Sequence, residues 1–208
     1  MTLPPQYPTE PLLEGDVDPD PLLQFASWFE DAAAVVRLPE AAALATADAG
    51  GRPSLRMVLL RGWDPEGFVF HTDYGSRKAT ELVTNPVAAL LLHWDAVGRQ
   101  IRIEGPVAKA TAEQSDRYFS SRPRDRQIAA HSSDQSRPIG SRQALDDKVA
   151  EVTAHYEGQP VPRPPSWGGF RLRPVSYEFW QGHDDRLHDR LLYRRGDNDG
   201  WYIERLQP

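Results

Sequence analysis

Between residues 41 and 110 the chain is cut into short apolar runs separated by tight turns, which restricts this stretch to an antiparallel β architecture. Ala42 to Ala47 is followed by the turn DAGGRP, and Ser54 to Arg61 by the turn WDPEG. Gly67 to Thr72, Val87 to Trp94 and Gln100 to Ala110 are further strands. One short helix interrupts them, starting at Ser76 and ended by Pro86, since proline offers no amide and crowds the preceding turn. Short strands with turns this tight, and one inserted helix, curl toward a barrel.

The flanks are helical. Residues 1–18 are rich in proline and acid and read as a flexible arm. Asp20 then caps a helix with Pro21 in its first turn. Leu22, Phe25, Trp28, Phe29, Ala32 and Val36 form its buried stripe, and Pro39 ends it. Thr111 and Gln114 form a capping box for a helix running toward Ser120. Ser141 to Tyr156 is another helix, with Leu145, Val149, Val152 and Tyr156 on one face and Gly158 as its stop. The connector QPVPRPPSW leads to a strand from Gly169 to Trp180 and a last hairpin, LLYRR, GDNDG, WYIERL. The expectation is one α+β domain over 19–208 behind an arm over 1–18.

Absent residue types exclude much chemistry. With no cysteine there is no disulfide, thiolate metal site, iron–sulfur cluster or cysteine nucleophile, so redox work requires a bound cofactor. A net charge of −6 speaks against nucleic-acid binding and makes clustered cations meaningful. No run approaches the roughly 20 apolar residues of a membrane span, and no basic leader is visible. The expectation is a cytoplasmic protein with no membrane partner.

Four constellations carry charge in useful patterns. On the strand Arg56 to Arg61, Arg56, Val58 and Leu60 share one face, and Met57, Leu59 and Arg61 the other. Gly75, Ser76, Arg77 and Lys78 place two cations at a helix start, where free amides favour an anion. Arg122, Arg124 and Arg126 crowd the end of the helix after Thr111. If the chain is extended there, Arg186, His188 and Arg190 point one way, near Trp180 as a flat apolar wall. Each has a plain structural alternative: a buried strand with charged ends, a solvated helix start, cations matching a helix dipole, or a charged surface strand. The six histidines show no convincing metal spacing, and the usual nucleotide, hydrolase and zinc motifs are missing. Residues alone thus give an α+β domain that binds a small phosphorylated ligand.

Taken in order, RMVLLR, GSRKA, GRQIRIEGPV, YFSSRPRDRQI, QSRPIGSR, WGGFRL, EFWQG, RLHDRLLYRR and WYIERLQP resemble the pyridoxine/pyridoxamine 5'-phosphate oxidase family from about residue 20 onward. The resemblance implies an FMN-binding split β-barrel, antiparallel and Greek-key-like with peripheral helices, acting as a homodimer with two FMN sites at the subunit interface. It implies oxidation of pyridoxamine or pyridoxine 5'-phosphate to pyridoxal 5'-phosphate, with O2 as acceptor and H2O2 as product. By this similarity Arg56, Met57, Val58, Leu59, Leu60 and Arg61 line the flavin and its phosphate tail, continued by His71, Thr72, Arg77 and Lys78. Gln100, Gln135, Ser136, Trp180 and Arg190 complete the cofactor site, part of it from the partner subunit. Tyr118, Arg122, Arg126 and Arg61 match positions that hold the substrate phosphate, and Arg186, Leu187 and His188 those that cover the substrate, with Arg186 and His188 as catalytic candidates. The chain departs from the family at Arg61, where lysine is usual, at Arg126, where serine is common, and at His131, where an aromatic or apolar residue is common. The arm lacks the arginine–tyrosine segment of some members, with Tyr7 as a partial substitute. Two other functions compete: a related flavin oxidase of the phenazine-biosynthesis type, and a non-enzymatic flavin or pyridoxal-phosphate binder.

Overall fold

Apolar alternation along the chain produces nine antiparallel strands in the computed structural model, which describes residues 10–196 and 200–208. Six of them close a barrel: β1 (Ala41–Ala47), β2 (Pro53–Asp64), β3 (Gly67–Asp73), β4 (Val87–Trp94), β5 (Arg99–Lys109) and β6 (Trp167–Leu172). Around it the order is β1, β2, β3, β6, β5, β4 and back to β1. β7 (Ser176–Gln181), β8 (Asp189–Arg195) and β9 (Trp201–Arg205) continue the sheet from β5. The last two form the expected hairpin, although part of its turn, 197–199, lies outside the described residues.

β5 is where the barrel splits. Arg99 to Glu104 pair with β7, while Val107 to Lys109 pair with β6. The sequence suggested one strand from Gly169 to Trp180, but Arg173 and Pro174 break it in two. Pro174 has no amide to give a ladder, and its neighbours bond across the split instead, Arg173 N–H to the Pro106 carbonyl and Val175 N–H to that of Glu104. The chain passes so close there that a Cβ on Gly105 would sit 1.9 Å from the Arg173 carbonyl oxygen. A backbone clash of that depth has no flexible side chain to absorb it. Gly105→Ala is therefore expected to destabilise the fold by about 2 kcal/mol or more, read from the urea midpoint. A midpoint equal to the parent's contradicts the close crossing.

α1 (Pro21–Ala33) begins as expected, with Asp20 Oδ1 accepting from Leu22 N–H at 2.8 Å. It plugs one side of the barrel: Phe25 meets Phe68 and Trp63 edge-on at 4.8 and 5.2 Å, and Trp28 meets Phe179 at 5.2 Å. The helix stops at Ala33, earlier than the Pro39 boundary, and Pro39 instead accepts from Trp94 Nε1. The remaining helices are α2 (Arg77–Thr84), α3 (Ala112–Ser121), α4 (Arg124–Ser132) and α5 (Arg142–His155). α3 carries the expected capping box. α4 was not foreseen: the sequence read one helix end where a second helix starts after Pro123. Phe119, Ile128, Val161 and Trp167 form a small second core beneath α3 and α4. The stripe foreseen on α5 is at most half-buried, with Val149 exposed.

The arm reading over 1–18 reaches the described residues only from Glu10, and residues 10–18 lie against the β7–β9 sheet. Leu12 and Val17 are buried, Gln181 donates to the Glu10 carbonyl, and Arg205 grips the Leu12 carbonyl and Glu14. Composition suggested a loose segment, but these two apolar anchors and the Arg205 contacts hold it. Tyr7 lies outside the described residues.

Candidate functional site

The start of α2 builds the first cationic group. Ser76 is its N-cap residue and leaves the helix amides unpaired by its own side chain, while Arg77 and Lys78 stand in the first turn. Glu81, one turn on, organises the charges. Only 5 % exposed, it receives hydrogen bonds from Arg77 Nε (2.8 Å), Arg56 Nη2 (3.2 Å) and the hydroxyls of Ser54 and Thr46 (both 2.5 Å). Burial works against its charge, but these donors outweigh it and hold its carboxyl down to about 2. Glu81 was not foreseen from the sequence; the available signal was its position four residues after Arg77, the helix ion-pair spacing.

Lys78 points inward. Its Nζ donates to Gln135 Oε1 at 2.6 Å and Thr72 Oγ1 at 3.0 Å, and the Thr72 hydroxyl donates onward to Gln135. Burial, then the Arg56 cation, lower this ammonium to about 8, against the pull of Asp73 and Glu81. A lysine kept charged at such cost marks a place where an anion is favourable.

Beside it lies a cavity of about 340 Å³ lined by Leu59, Arg61, His71, Thr72, Tyr118, Arg122, Arg126, Gln135 and Trp167. Its wall is a stack of rings: His71 lies 4.1 Å from Tyr118 and 5.2 Å from Trp167, nearly parallel to both. The Arg122 guanidinium covers the Trp167 ring at 4.6 Å. Arg122 Nη1 and both ring nitrogens of His71 are buried without a protein partner, a costly state unless a ligand or water completes them. Burial, then the Arg122 and Arg61 cations, push His71 down to about 4, so its ring is neutral at neutral pH. Arg61 also reaches Glu40 at 3.4 Å. Trp167 was not foreseen as part of this wall.

The arginine cluster is smaller than the sequence implied. Arg122 and Arg126 line the cavity, whereas Arg124 turns away and donates to the carbonyls of Tyr156 and Gln159. His131 likewise bonds the Pro162 carbonyl and packs on Tyr156. On β2 the alternation holds for Arg56, Val58 and Leu60. Leu60 is buried in the barrel core, leaving only its backbone for a ligand, and Met57 is exposed rather than in the cavity.

A second group stands on β5, β7 and β8. Gln100, Trp180 and Arg190 lie in one row across the three strands. Arg190 donates to buried Glu178 and to the Gln207 carbonyl, and the His188 ring lies 4.7 Å from Trp180. The shared face drawn for Arg186, His188 and Arg190 does not exist as a strand, because β8 begins only at Asp189. Arg186 sits in a turn with φ 67°, a left-handed conformation rare for a side chain of its size, and Leu187 is exposed. Ser136, next to Gln135, is also left-handed, with φ 72°. No group of metal-ligating side chains converges among the described residues, and no helix there is long and apolar enough to cross a membrane.

Comparison with known proteins finds relatives along most of the chain. A family model described as pyridoxamine 5'-phosphate oxidase matches residues 29–156, and one described as the pyridoxine 5'-phosphate oxidase C-terminal dimerisation region matches residues 167–208. A pyridoxine/pyridoxamine 5'-phosphate oxidase from Rubrobacter xylanophilus is 51 % identical over 98 % of this chain and 94 % of its own. One from Paraburkholderia phymatum is 53 % identical over 93 % of this chain and 92 % of its own. Among solved structures, PhzG from Burkholderia lata, in complex with tetrahydrophenazine-1-carboxylic acid, superposes with a TM-score of 0.88 at 37 % identity, covering 95 % of this chain and 98 % of that one. A pyridoxamine 5'-phosphate oxidase-related, FMN-binding protein from Nostoc punctiforme shares the fold, with a TM-score of 0.72 at 18 % identity over 91 % of this chain and 98 % of that one.

Proposed function

The chain belongs to the pyridoxamine 5'-phosphate oxidase family, and from that premise we propose that it binds FMN and oxidises pyridoxamine or pyridoxine 5'-phosphate to pyridoxal 5'-phosphate. The observation that carries this reading is a pair of adjoining anion subsites. One is Arg56, Arg77 and Lys78 at the start of α2, and the other is Arg61, Arg122 and Arg126 in the cavity. Thr72 and Gln135 touch both. A flavin and a substrate that each carry a phosphate need two such places side by side.

In this reading Arg56, Arg77 and Lys78 hold the FMN phosphate, with Glu81 fixing the two guanidiniums. FMN held by these residues would supply the two-electron redox chemistry, with dioxygen as the final acceptor. The amine substrate, water and O2 give aldehyde, ammonia and H2O2; the alcohol and O2 give aldehyde and H2O2. Arg122, Arg126, Arg61 and Tyr118 hold the substrate phosphate, which orients the reacting carbon. The Tyr118, His71 and Trp167 stack forms one wall of the pocket, and His71, held neutral, adds no charge to the arginines. Arg186 and His188 cover the substrate, and a homodimer brings the Trp180 and Arg190 group of one subunit to the α2 group of its partner.

Lys78 gives this assignment a pH signature. Free of ligand it loses its proton near pH 8, and a phosphate seated beside it restores the ammonium. FMN binding at about pH 9 is expected to take up a proton, and affinity to weaken as pH rises past 8. Calorimetry in buffers of different ionisation enthalpy reads the uptake; proton release, or none, contradicts the Lys78 contact.

The phenazine-type alternative draws on the PhzG likeness at 37 % identity. The arginine-lined cavity and the relatives above 50 % identity favour the phosphate ester. The test is turnover: FMN-loaded protein given pyridoxamine 5'-phosphate is expected to form pyridoxal 5'-phosphate and H2O2 in equal amounts. Activity only on a non-phosphorylated ring acid supports the alternative, and no turnover on either supports a binding protein.

A further inference from the structure

The loop from Gly182 to His188 carries two of the residues that cover the substrate, and one histidine closes it at three points. The His183 carbonyl accepts from Arg186 N–H at 3.1 Å. Its amide N–H donates to His188 Nδ1 at 3.0 Å. Its ring Nε2 lies 2.6 Å from Asp189 Oδ2. Asp189 is itself immobilised, accepting from Leu12 N–H at 2.9 Å and from Arg205 Nη1 at 2.5 Å, and only 9 % exposed. Burial opposes its charge, but the bonds from Leu12, His183 and Arg205 keep its carboxyl below the ordinary range. His183 therefore ties a turn with a left-handed residue at Arg186 to a fixed point in the sheet.

We propose that His183 is a positioning residue: it sets the tautomer of His188 and holds the Arg186–His188 loop against β8. This rests on the oxidase reading for its kinetic consequence, though not for its structural one. A nitrogen that accepts an amide proton must carry a lone pair, and a neutral imidazole has only one N–H. Neutral His188 is thus bare at Nδ1 and protonated at Nε2. The group that Nε2 meets is therefore an acceptor, and a substrate oxygen such as the ring hydroxylate or the phosphate is of that kind. His188 does not serve as a base through Nε2. The amide of residue 183 would exist with any side chain. What requires histidine is the bond from the ring to Asp189, which keeps that amide aimed at His188.

Two measurements test this on the FMN-loaded protein. In nitrogen-15 spectra, with the His188 signals assigned by their loss in His188→Asn, Nδ1 is expected in the unprotonated range and Nε2 in the protonated range. A coupling across the hydrogen bond between the His183 amide nitrogen and Nδ1 is expected as well. A protonated Nδ1 overturns the tautomer assignment whatever the substrate proves to be. In kinetics, His183→Ala is expected to raise KM for pyridoxamine 5'-phosphate about tenfold, the worth of one charge-assisted hydrogen bond, with kcat and FMN affinity little changed. His183→Gln, which keeps a donor within reach of Asp189, is expected to recover most of that loss. An unchanged KM in His183→Ala, or equal losses in both variants, overturns the positioning role. If the parent does not turn over this substrate, the oxidase reading has failed, and the nitrogen spectra still decide the tautomer.

Discussion

Glu81→Ala is expected to lower the unfolding free energy by about 3 kcal/mol and to leave the purified protein without flavin. Glu81 is the common acceptor for Arg56, Arg77, Ser54 and Thr46. Removing it strands the half-buried Arg56 guanidinium, and breaking a buried ion pair by deleting one partner typically costs about 3–5 kcal/mol; the lower end applies because Arg77 is largely exposed. The same change releases both arginines from the geometry in which they face the start of α2. Urea unfolding and the visible absorbance of the purified variant read the two effects. A loss under about 1 kcal/mol with full flavin content would show that Glu81 organises nothing. The parent also carries an acid signature here. The folded pKa lies near 2 against an ordinary 4.5, so this stabilisation is complete above 4.5 and is lost as pH falls toward 2. The variant is expected to lack that part of the acid dependence.

Arg122→Ala is expected to lower kcat/KM for pyridoxamine 5'-phosphate about 100-fold, mostly through KM, with FMN content unchanged. The Arg122 guanidinium sits over the Trp167 ring, and its Nη1 is buried with no protein partner among the described residues. Burial lowers its pKa from the ordinary arginine value, as expected for a cation that lacks an anion at hand. A phosphate in the cavity supplies the missing acceptors, and two charge-assisted hydrogen bonds together amount to about 3 kcal/mol, a factor of about 100. Steady-state kinetics beside a flavin absorbance ratio separates the two sites. An unchanged KM would remove Arg122 from the substrate site, and a colourless protein would place it in the flavin site.

Local pattern explains what the sequence revealed. The strands from Ala41 to Lys109 were legible because alternation and turn residues are nearest-neighbour signals, and the cap of α1 and the box of α3 for the same reason. The cationic groups were legible as clusters, but their internal order was not. Nothing local shows that Arg124 turns toward α5 while Arg122 turns onto Trp167, because Pro123 starts a new helix between them. The Arg186, His188 and Arg190 alternation failed because it assumed an extended chain where His183 closes a turn. Glu81 and Asp189 were missed for a shared reason. Each is a buried carboxylate whose partners come from distant segments: Thr46 and Arg56 for one, Leu12 and Arg205 for the other. Local spacing offers only one partner of each, Arg77 for Glu81 and His183 for Asp189, and the full set appears once the fold has brought the distant segments together.

The most direct test of the central claim is the visible spectrum of the FMN-loaded protein in anaerobic buffer, before and after addition of pyridoxamine 5'-phosphate. The flavin bands are expected to bleach on addition and to return when air is admitted, with pyridoxal 5'-phosphate left in solution. Flavin bands that remain unchanged by the substrate would contradict that claim.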